Sequence, residues 1–488
     1  MKALTVLGTT SQAGKSILTT AICRLLSRKG IRIAPFKGAS IGQQAYLTEV
    51  GGQMSYAQAL QAWAAGIAPA VEMNPLLLKP KGDSTFEMIV KGVKTETMSV
   101  NEFYRWAEAE GWAVVRQCLD QLAGEFDLLV CEGAGSTAEV HLKASDLANM
   151  RVARYLNAPT LLLVDSERGG ALAHVVGTLE LLEPIERALI RGLVINKWRG
   201  PEAVSRAAVS WLEDRTGIPV LGVIPWDAIA CSHQGTLNLL KRHGKPAHPE
   251  VTVAVIRLPH LTGFADFDPL DAEPSVRVKY ISPKQSLGYP DAVILPGSRT
   301  TLADLQVLQD SGMAQEILEY QAAGGTVLGI SGGFQMLGEF VADPEGIEGV
   351  EGRFEGLSLL PMTTVITPQK VARQRSLTST YPHVGLQVTG YELHRGHSKF
   401  SKTDEFKPLF EDAKLGIVDT YQSVWGTYLH GIFDSGPWRR TWLNRLRQQR
   451  GLKALPTGIP NYREQRETLL ENLTDFIDQN LDMSQVLR

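Results

Sequence analysis

Cysteine is scarce: Cys23, Cys118, Cys131 and Cys231 are scattered over 488 residues, with no Cys-x-x-Cys pair and no metal-ligand spacing. That excludes a small disulfide scaffold and reads as reduced, mostly buried thiols in a cytoplasmic protein. No apolar run approaches the roughly 18 residues that cross a bilayer, so no membrane partner is expected. The apolar N-terminus is interrupted by Thr5, Thr9 and Thr10 and has no small-residue cleavage site after it. It reads as a first strand, not a signal peptide. An excess of one charge is also missing, with 49 Lys and Arg against 52 Asp and Glu, a net charge of −3. Without a sustained basic block, nucleic acid is not an expected partner. Internal repeats and low-complexity segments are absent. What is present is the 44% hydrophobic and 21% charged balance of an ordinary globular chain, long enough for about two to three domains.

Short apolar runs alternate with helical patterns from Met1 to about Arg242. Strands are expected at Ala3–Leu7, Ile31–Phe36, Phe126–Cys131, Thr160–Val164, Gly192–Ile195 and Gly222–Pro225. The spacing of Ile17, Leu18, Ile22, Leu25 and Leu26 predicts a helix over Ile17–Arg28, stopped at Gly30. Such alternation predicts a mostly parallel sheet covered on both faces. Lys241–Pro249, polar and with two prolines, is the best linker. A second α/β pattern follows, with strands at Val251–Leu258, Ala292–Leu295 and Thr326–Ile330, and helices after Thr301 and Gly333. Residues 365–382 read as a loop or hairpin. Trp438–Arg450 and Arg463–Leu487 look helical and charged.

Gly8-Thr9-Thr10-Ser11-Gln12-Ala13-Gly14-Lys15-Ser16 lies between the first strand and the first helix. Glycines let backbone N–H groups turn around a phosphate, the helix N-terminus adds positive potential, and a lysine and a hydroxyl reach phosphate and Mg²⁺. The spacing is one residue longer than the strict pattern, and the plain alternative is a glycine turn before an ordinary helix. Thr10, Gly14, Lys15 and Ser16 are the candidate ATP ligands. Glu132, ending a strand before Gly133-Ala134-Gly135, is with Ser16 the candidate Mg²⁺ ligand; the alternative is a helix-capping acid. Asp165 is a second strand-end acid. Asn196 carries a donor and an acceptor that match an adenine edge, although an Asn after a strand also serves in turns.

Several runs carry a family resemblance. They are the phosphate loop, Ala34-Pro35-Phe36-Lys37, Ala57-Gln58-Ala59, Met73-Asn74-Pro75-Leu76-Leu77-Leu78-Lys79-Pro80, Glu132-Gly133-Ala134-Gly135 and Gly222-Val223-Ile224-Pro225-Trp226. Together they resemble the cobyric acid synthase family over nearly the whole chain. That family's N-terminal half is similar to dethiobiotin synthetase, a P-loop α/β fold that activates carboxylates with ATP. The resemblance implies a corrinoid a,c-diamide substrate whose b, d, e and g carboxylates become amides. A carboxylate needs such activation because its oxygen is a poor leaving group; the transfer itself needs positioned phosphates, Mg²⁺ and nearby cations. Lys37 is a further cation for substrate or phosphate, or else an exposed strand-end lysine; Asp165 shares that candidate role. The chain departs from the family at Gly38–Gln44, where the family has a Gln-Asn-Met-x-x-Asn segment. It departs again at Gln53, where the family has an acid, and at Phe86-Glu87-Met88-Ile89.

Further on, Thr326–Ile330, Ser331, Gly332 and Gly333 read as strand, sharp turn and helix, a turn that exposes its residue beside backbone donors. Gly426-Thr427-Tyr428-Leu429-His430 places a histidine at a strand end. With Leu295-Pro296-Gly297-Ser298, these segments resemble a class I glutamine amidotransferase domain. The resemblance makes Ser331 the position of the family's nucleophilic cysteine, His430 its base, and Gly297 and Gly332 the oxyanion loops. A hydroxyl ionises far less than a thiol, so glutamine hydrolysis is expected to be weak. No acid follows His430 in a His-x-Glu arrangement.

The expected architecture is thus α/β, two parallel-sheet domains, P-loop NTPase-like then flavodoxin-like amidotransferase. The expected boundaries are 1–242 for the ATP-binding synthetase domain, 250–440 for the amidotransferase-like domain and 441–488 for a helical tail. Glutamine or ammonia, a corrinoid, ATP and Mg²⁺ are the expected ligands. Two alternatives stay open: a non-catalytic relative that binds nucleotide and a tetrapyrrole, and an ammonia-dependent amidase acting on another tetrapyrrole carboxylate.

Overall fold

The computed structural model describes residues 3–42, 45–48, 52–80, 85–226, 250–401 and 404–484. The linker expected at Lys241–Pro249, together with Cys231, Gln43 and Gln44, lies outside them. Two compact units emerge: Met1–Lys241 with Arg466–Arg488, and Arg242–Gln465.

The first unit is built on six strands: β1 (Ala3–Gly8), β2 (Ile33–Phe36), β3 (Leu128–Glu132), β4 (Thr160–Asp165), β5 (Ile190–Trp198) and β6 (Val220–Pro225), in the order β6-β5-β4-β1-β3-β2. Every neighbouring pair is parallel. β1, β3 and β4 are buried along their whole length, which is why they read as continuous apolar runs. The chain reverses direction across the sheet at β1, and the carboxyl ends there form the crevice in which open α/β sheets bind ligands. α1 (Lys15–Arg28) buries Leu18, Ile22, Leu25 and Leu26 against this sheet.

An unforeseen sheet of four strands, Ala39–Ile41, Leu76–Pro80, Thr85–Val90 and Val93–Ser99, contributes Leu76, Leu78 and Met88 to a core shared with Phe36. It precedes and follows α2 (Tyr56–Ala64) in the chain.

The second unit holds β7 (Val251–Ile256), β8 (Val276–Ile281), β9 (Ala292–Leu295), β10 (Thr326–Ile330), β11 (Phe406–Pro408), β12 (Gly416–Asp419) and β13 (Val424–Thr427). Their order is β8-β7-β9-β10-β13-β12-β11. The first five in that order are parallel, and β12 and β11 add an antiparallel edge. Residues 365–382 resolve as part of a long antiparallel hairpin, Met362–Thr378 with Gln387–Phe400, in a second sheet of five strands. The helix Gly436–Gln449 carries Trp438 and Trp442 at helical spacing onto Trp425, with ring centroids 5.5 and 6.0 Å away.

The tail expected at 441–488 is not a separate piece. The helix Gly436–Gln449 belongs to the second unit's core, whereas Arg466–Arg488 belongs to the first unit. The helical pattern expected to Leu487 ends at Asn480. Leu470, Leu473, Ile477, Leu481 and Met483 are buried in the core that also holds Leu18 and Leu25, and Arg24 pairs with Glu467 at 2.6 Å. Burial of each such side chain is worth about 1.5–3 kcal/mol. Ending the chain at Gln465 is therefore expected to lower the melting temperature of the first unit and to weaken ATP binding. An unchanged thermal unfolding profile would show the segment to be dispensable.

Candidate active site

β1 ends at Gly8 and α1 begins at Lys15, so the loop between them is spanned by the strand end and the helix N-terminus. Gly14 has φ +104°, and a Cβ there would lie 2.1 Å from Asn196 Nδ2; only glycine fits. The Lys15 amine turns inward, donating to Gly135 O at 2.6 Å and Thr10 O at 3.1 Å. Burial lowers its pKa to about 8, against the upward pull of Glu132 and with a further lowering by Lys37. A phosphate beside it would raise that pKa again by favouring the charged amine.

Glu132 closes β3 at 1% exposure. Its Oε1 accepts from Ser16 Oγ at 2.7 Å and Lys37 Nζ at 2.6 Å. Its Oε2 accepts from Gln61 Nε2 at 2.5 Å and Gln58 Nε2 at 3.4 Å. Burial pushes its carboxyl up, but the Lys37 charge and the hydrogen bonds of Lys37, Ser16 and Gln61 prevail and hold it below the usual range. A hydroxyl and an ionised carboxylate at 2.7 Å are hard oxygen donors of the kind Mg²⁺ takes. Thr9 Oγ1, Thr10 Oγ1 and Asn196 Oδ1 are buried without a partner among the described residues, as suits a loop that awaits a polar ligand.

Thr10, Gly14, Lys15, Ser16, Lys37 and Glu132 therefore converge. Asn196 lies against Ala13 and Gly14, and Asp165 reaches the loop through Lys197. Asn196 Nδ2 donates to Ala13 O at 2.7 Å. Asp165 takes Lys197 Nζ on Oδ2 at 2.6 Å and the Glu167 N–H on Oδ1 at 3.0 Å, while Lys197 also donates to Gln12 O. Asp165 thus acts on the loop through Lys197. The sequence alone does not mark Gln58, Gln61 or Lys197 as site residues. The signal for the glutamines was two amides three positions apart on an otherwise apolar helix, α2.

The second unit has its own constellation. Ser331 sits between β10 and the helix Gly332–Met336 with φ 52° and ψ −113°, a conformation rare for a non-glycine residue. Its N–H donates to Thr427 O at 2.8 Å and its hydroxyl to Leu393 O at 3.1 Å. A Cβ on Gly332 would lie 2.9 Å from Ser298 N, and one on Gly297 would lie 3.5 Å from His430 Cε1. The turn, the short strand Gly297–Ser298 and the histidine are thus neighbours. His430 follows β13 in the short strand Leu429–His430, which pairs with Tyr391 and Glu392 of the long hairpin. Tyr391 stacks on the imidazole, with centroids 5.0 Å apart and planes 8° from parallel.

Asp266 supplies the acid that sequence spacing did not reveal. Its Oδ2 lies 2.8 Å from His430 Nδ1, and its Oδ1 accepts the Gly431 N–H at 2.9 Å. It stands 164 positions upstream of its histidine, so no His-x-Glu search finds it. An acid on Nδ1 fixes the imidazole with Nε2 as the free base.

Comparison with known proteins identifies the two units. The CobB/CobQ-like glutamine amidotransferase domain pattern matches residues 252–438, and an AAA domain pattern matches residues 2–230. The cobyric acid synthase of Nostoc punctiforme is 59% identical, covering 100% of both chains. Those of Trichormus variabilis and Trichodesmium erythraeum are 58% and 54% identical, covering at least 99% of each chain. The chain belongs to the cobyric acid synthase family. It is an ATP-dependent amidoligase of cobalamin biosynthesis, with a P-loop-type unit followed by an amidotransferase unit. Among the described residues, no helix is long and apolar enough to cross a membrane.

Proposed function

We propose that this chain amidates the b, d, e and g carboxylates of a corrinoid a,c-diamide, activating each with ATP and completing it with ammonia. The convergence of Lys15, Ser16, Lys37 and Glu132 at the crevice supports the activation half. Lys15 neutralises the nucleotide phosphates, and the loop N–H groups orient them toward the substrate carboxylate. Ser16 and Glu132 would hold Mg²⁺, which would supply neutralisation of phosphate charge. Lys37, beside Glu132 Oε1, would balance the negative charge that develops as the phosphoryl group passes to the carboxylate oxygen. Asn196, its Nδ2 held by Ala13 O, keeps an unpartnered Oδ1 as an acceptor for a nucleotide amino group. The resulting acyl phosphate has a good leaving group, and ammonia displaces it to give the amide.

The ammonia source follows from Ser331. Without a thiol at this turn, the amidotransferase unit binds glutamine better than it hydrolyses it, so ammonium is the effective nitrogen donor. Gly297 and Gly332 remain the oxyanion loops. The reaction belongs to a cytoplasmic setting, where ATP and reduced thiols coexist.

A second reading, a nucleotide- and tetrapyrrole-binding relative without turnover, draws support from Gln53. Where the family has an acid, Gln53 Oε1 accepts from Lys79 Nζ at 2.6 Å. ATP turnover in the presence of a corrinoid a,c-diamide separates the two. We expect amide formation with ammonium salts and little with glutamine alone. Binding of ATP and corrinoid without phosphate release would favour the second reading, and efficient use of glutamine would remove the assignment of ammonium.

A further inference from the structure

We propose that Gln58 and Gln61 are positioning residues that occupy one oxygen of Glu132, so that the acid offers only Oε1 to the metal. This rests on the reading of Glu132 as a metal ligand. Both glutamines lie on α2, three positions apart and hence on one face. Both are fully buried. Burying an amide is costly unless it is hydrogen-bonded, and the partner here is the acid. Gln58 Nε2 donates to Gln61 Oε1 at 2.7 Å, and Gln61 Nε2 donates to Glu132 Oε2 at 2.5 Å. Gln58 Oε1 has no partner among the described residues, so the amide chain runs in one direction, toward the carboxylate.

The two oxygens of Glu132 are thus treated differently. Oε1 meets Ser16 Oγ, a hydroxyl that could share a metal, and Lys37 Nζ, a cation that would have to give way to it. Oε2 meets only neutral amides among the contacts described. Amides order a carboxylate without placing a second cation on it beside Lys37. Single-oxygen ligation also leaves coordination positions for phosphate oxygens and water, as Mg²⁺ requires.

The test is Gln61→Met, which keeps the length and apolar bulk of the side chain and removes the donor. Mn²⁺ serves as a paramagnetic probe with ADP on the full-length chain, read by electron paramagnetic resonance. Loss of such a supporting partner typically weakens metal affinity about 10- to 100-fold, and a drop in that range is expected. Gln61 Nε2 touches the phosphate loop only through a long 3.5 Å contact to Ser16 O, so ADP affinity in EDTA is expected to stay close to the wild-type value. Unchanged Mn²⁺ affinity would overturn the proposal, and so would a parallel loss of ADP affinity, which would mean a distorted loop. Glu132→Gln is the control. Metal binding that survives in Glu132→Gln refutes the ligand reading itself; metal binding lost there but intact in Gln61→Met refutes the positioning role alone. Should Gln61→Met not fold, Gln58→Met carries the same test, with a smaller loss expected because its amide is 3.4 Å from the acid; no loss there overturns the proposal.

Discussion

Ser331→Cys is expected to raise glutamine hydrolysis by several powers of ten, on the order of 4–8 kcal/mol in barrier. The surrounding parts support that size of gain. The turn already holds residue 331 at φ 52°, and its N–H is anchored to Thr427 O. His430 is held by Asp266 on one nitrogen and covered by Tyr391 on one face. Only the nucleophile differs from what a thiolate mechanism needs, since a thiol beside a histidine ionises near neutral pH and a hydroxyl does not. Adding Asp266→Asn to the Ser331→Cys chain is expected to remove most of the gain, roughly 10⁴-fold, because an amide no longer enforces the tautomer with Nε2 free. Glutamate release, measured with and without ATP, reads both. A folded but inactive Ser331→Cys chain would show that the domain has drifted beyond catalysis. A Ser331 chain already proficient with glutamine would show that the hydroxyl is enough.

Lys15→Ala is expected to lower ATP affinity roughly a hundred-fold, about 3 kcal/mol, the usual cost of truncating one partner of a buried charge pair. Lys15 is buried, and its amine is held by the carbonyls of Gly135 and Thr10, at the place where phosphate oxygens would arrive. Alanine leaves those carbonyls facing the triphosphate with no cation between. The fold is expected to survive, since the core packing of α1 rests on Leu18, Ile22, Leu25 and Leu26. Calorimetric titration with ATP, beside a thermal unfolding control, tests this. Wild-type affinity in a folded Lys15→Ala chain would remove the phosphate-loop assignment.

How much of this was legible in the amino acids divides along a physical line. Fully buried parallel strands must be apolar throughout, so β1, β4, β9 and β10 were legible within a residue or so as short Val, Leu and Ile runs. Glycines at positive φ and close approach, with a lysine and a hydroxyl after them, marked the phosphate loop for the same local reason. The small sheet around 39–99 was not legible: its strands are short and partly exposed, and they lack a strong period. The long hairpin is hard to tell from a loop in the sequence because its strands alternate irregularly and shift register between Ile366 and Val371.

Local chemistry, written within a few residues, specified the two α/β units, the phosphate loop, Glu132 at a strand end and a serine on a nucleophile's turn. Pairings between residues far apart in the chain came only from the tertiary structure. Asp266 reaches His430 across 164 positions, and Gln61 reaches Glu132 across 71. The C-terminal segment returns to α1 through Arg24 and Glu467, 443 positions away. A hydrogen bond of this kind leaves no spacing in the chain, because its partners are brought together by the packing of whole elements. A side chain's type limits what chemistry it can do; the fold decides which other side chain it meets.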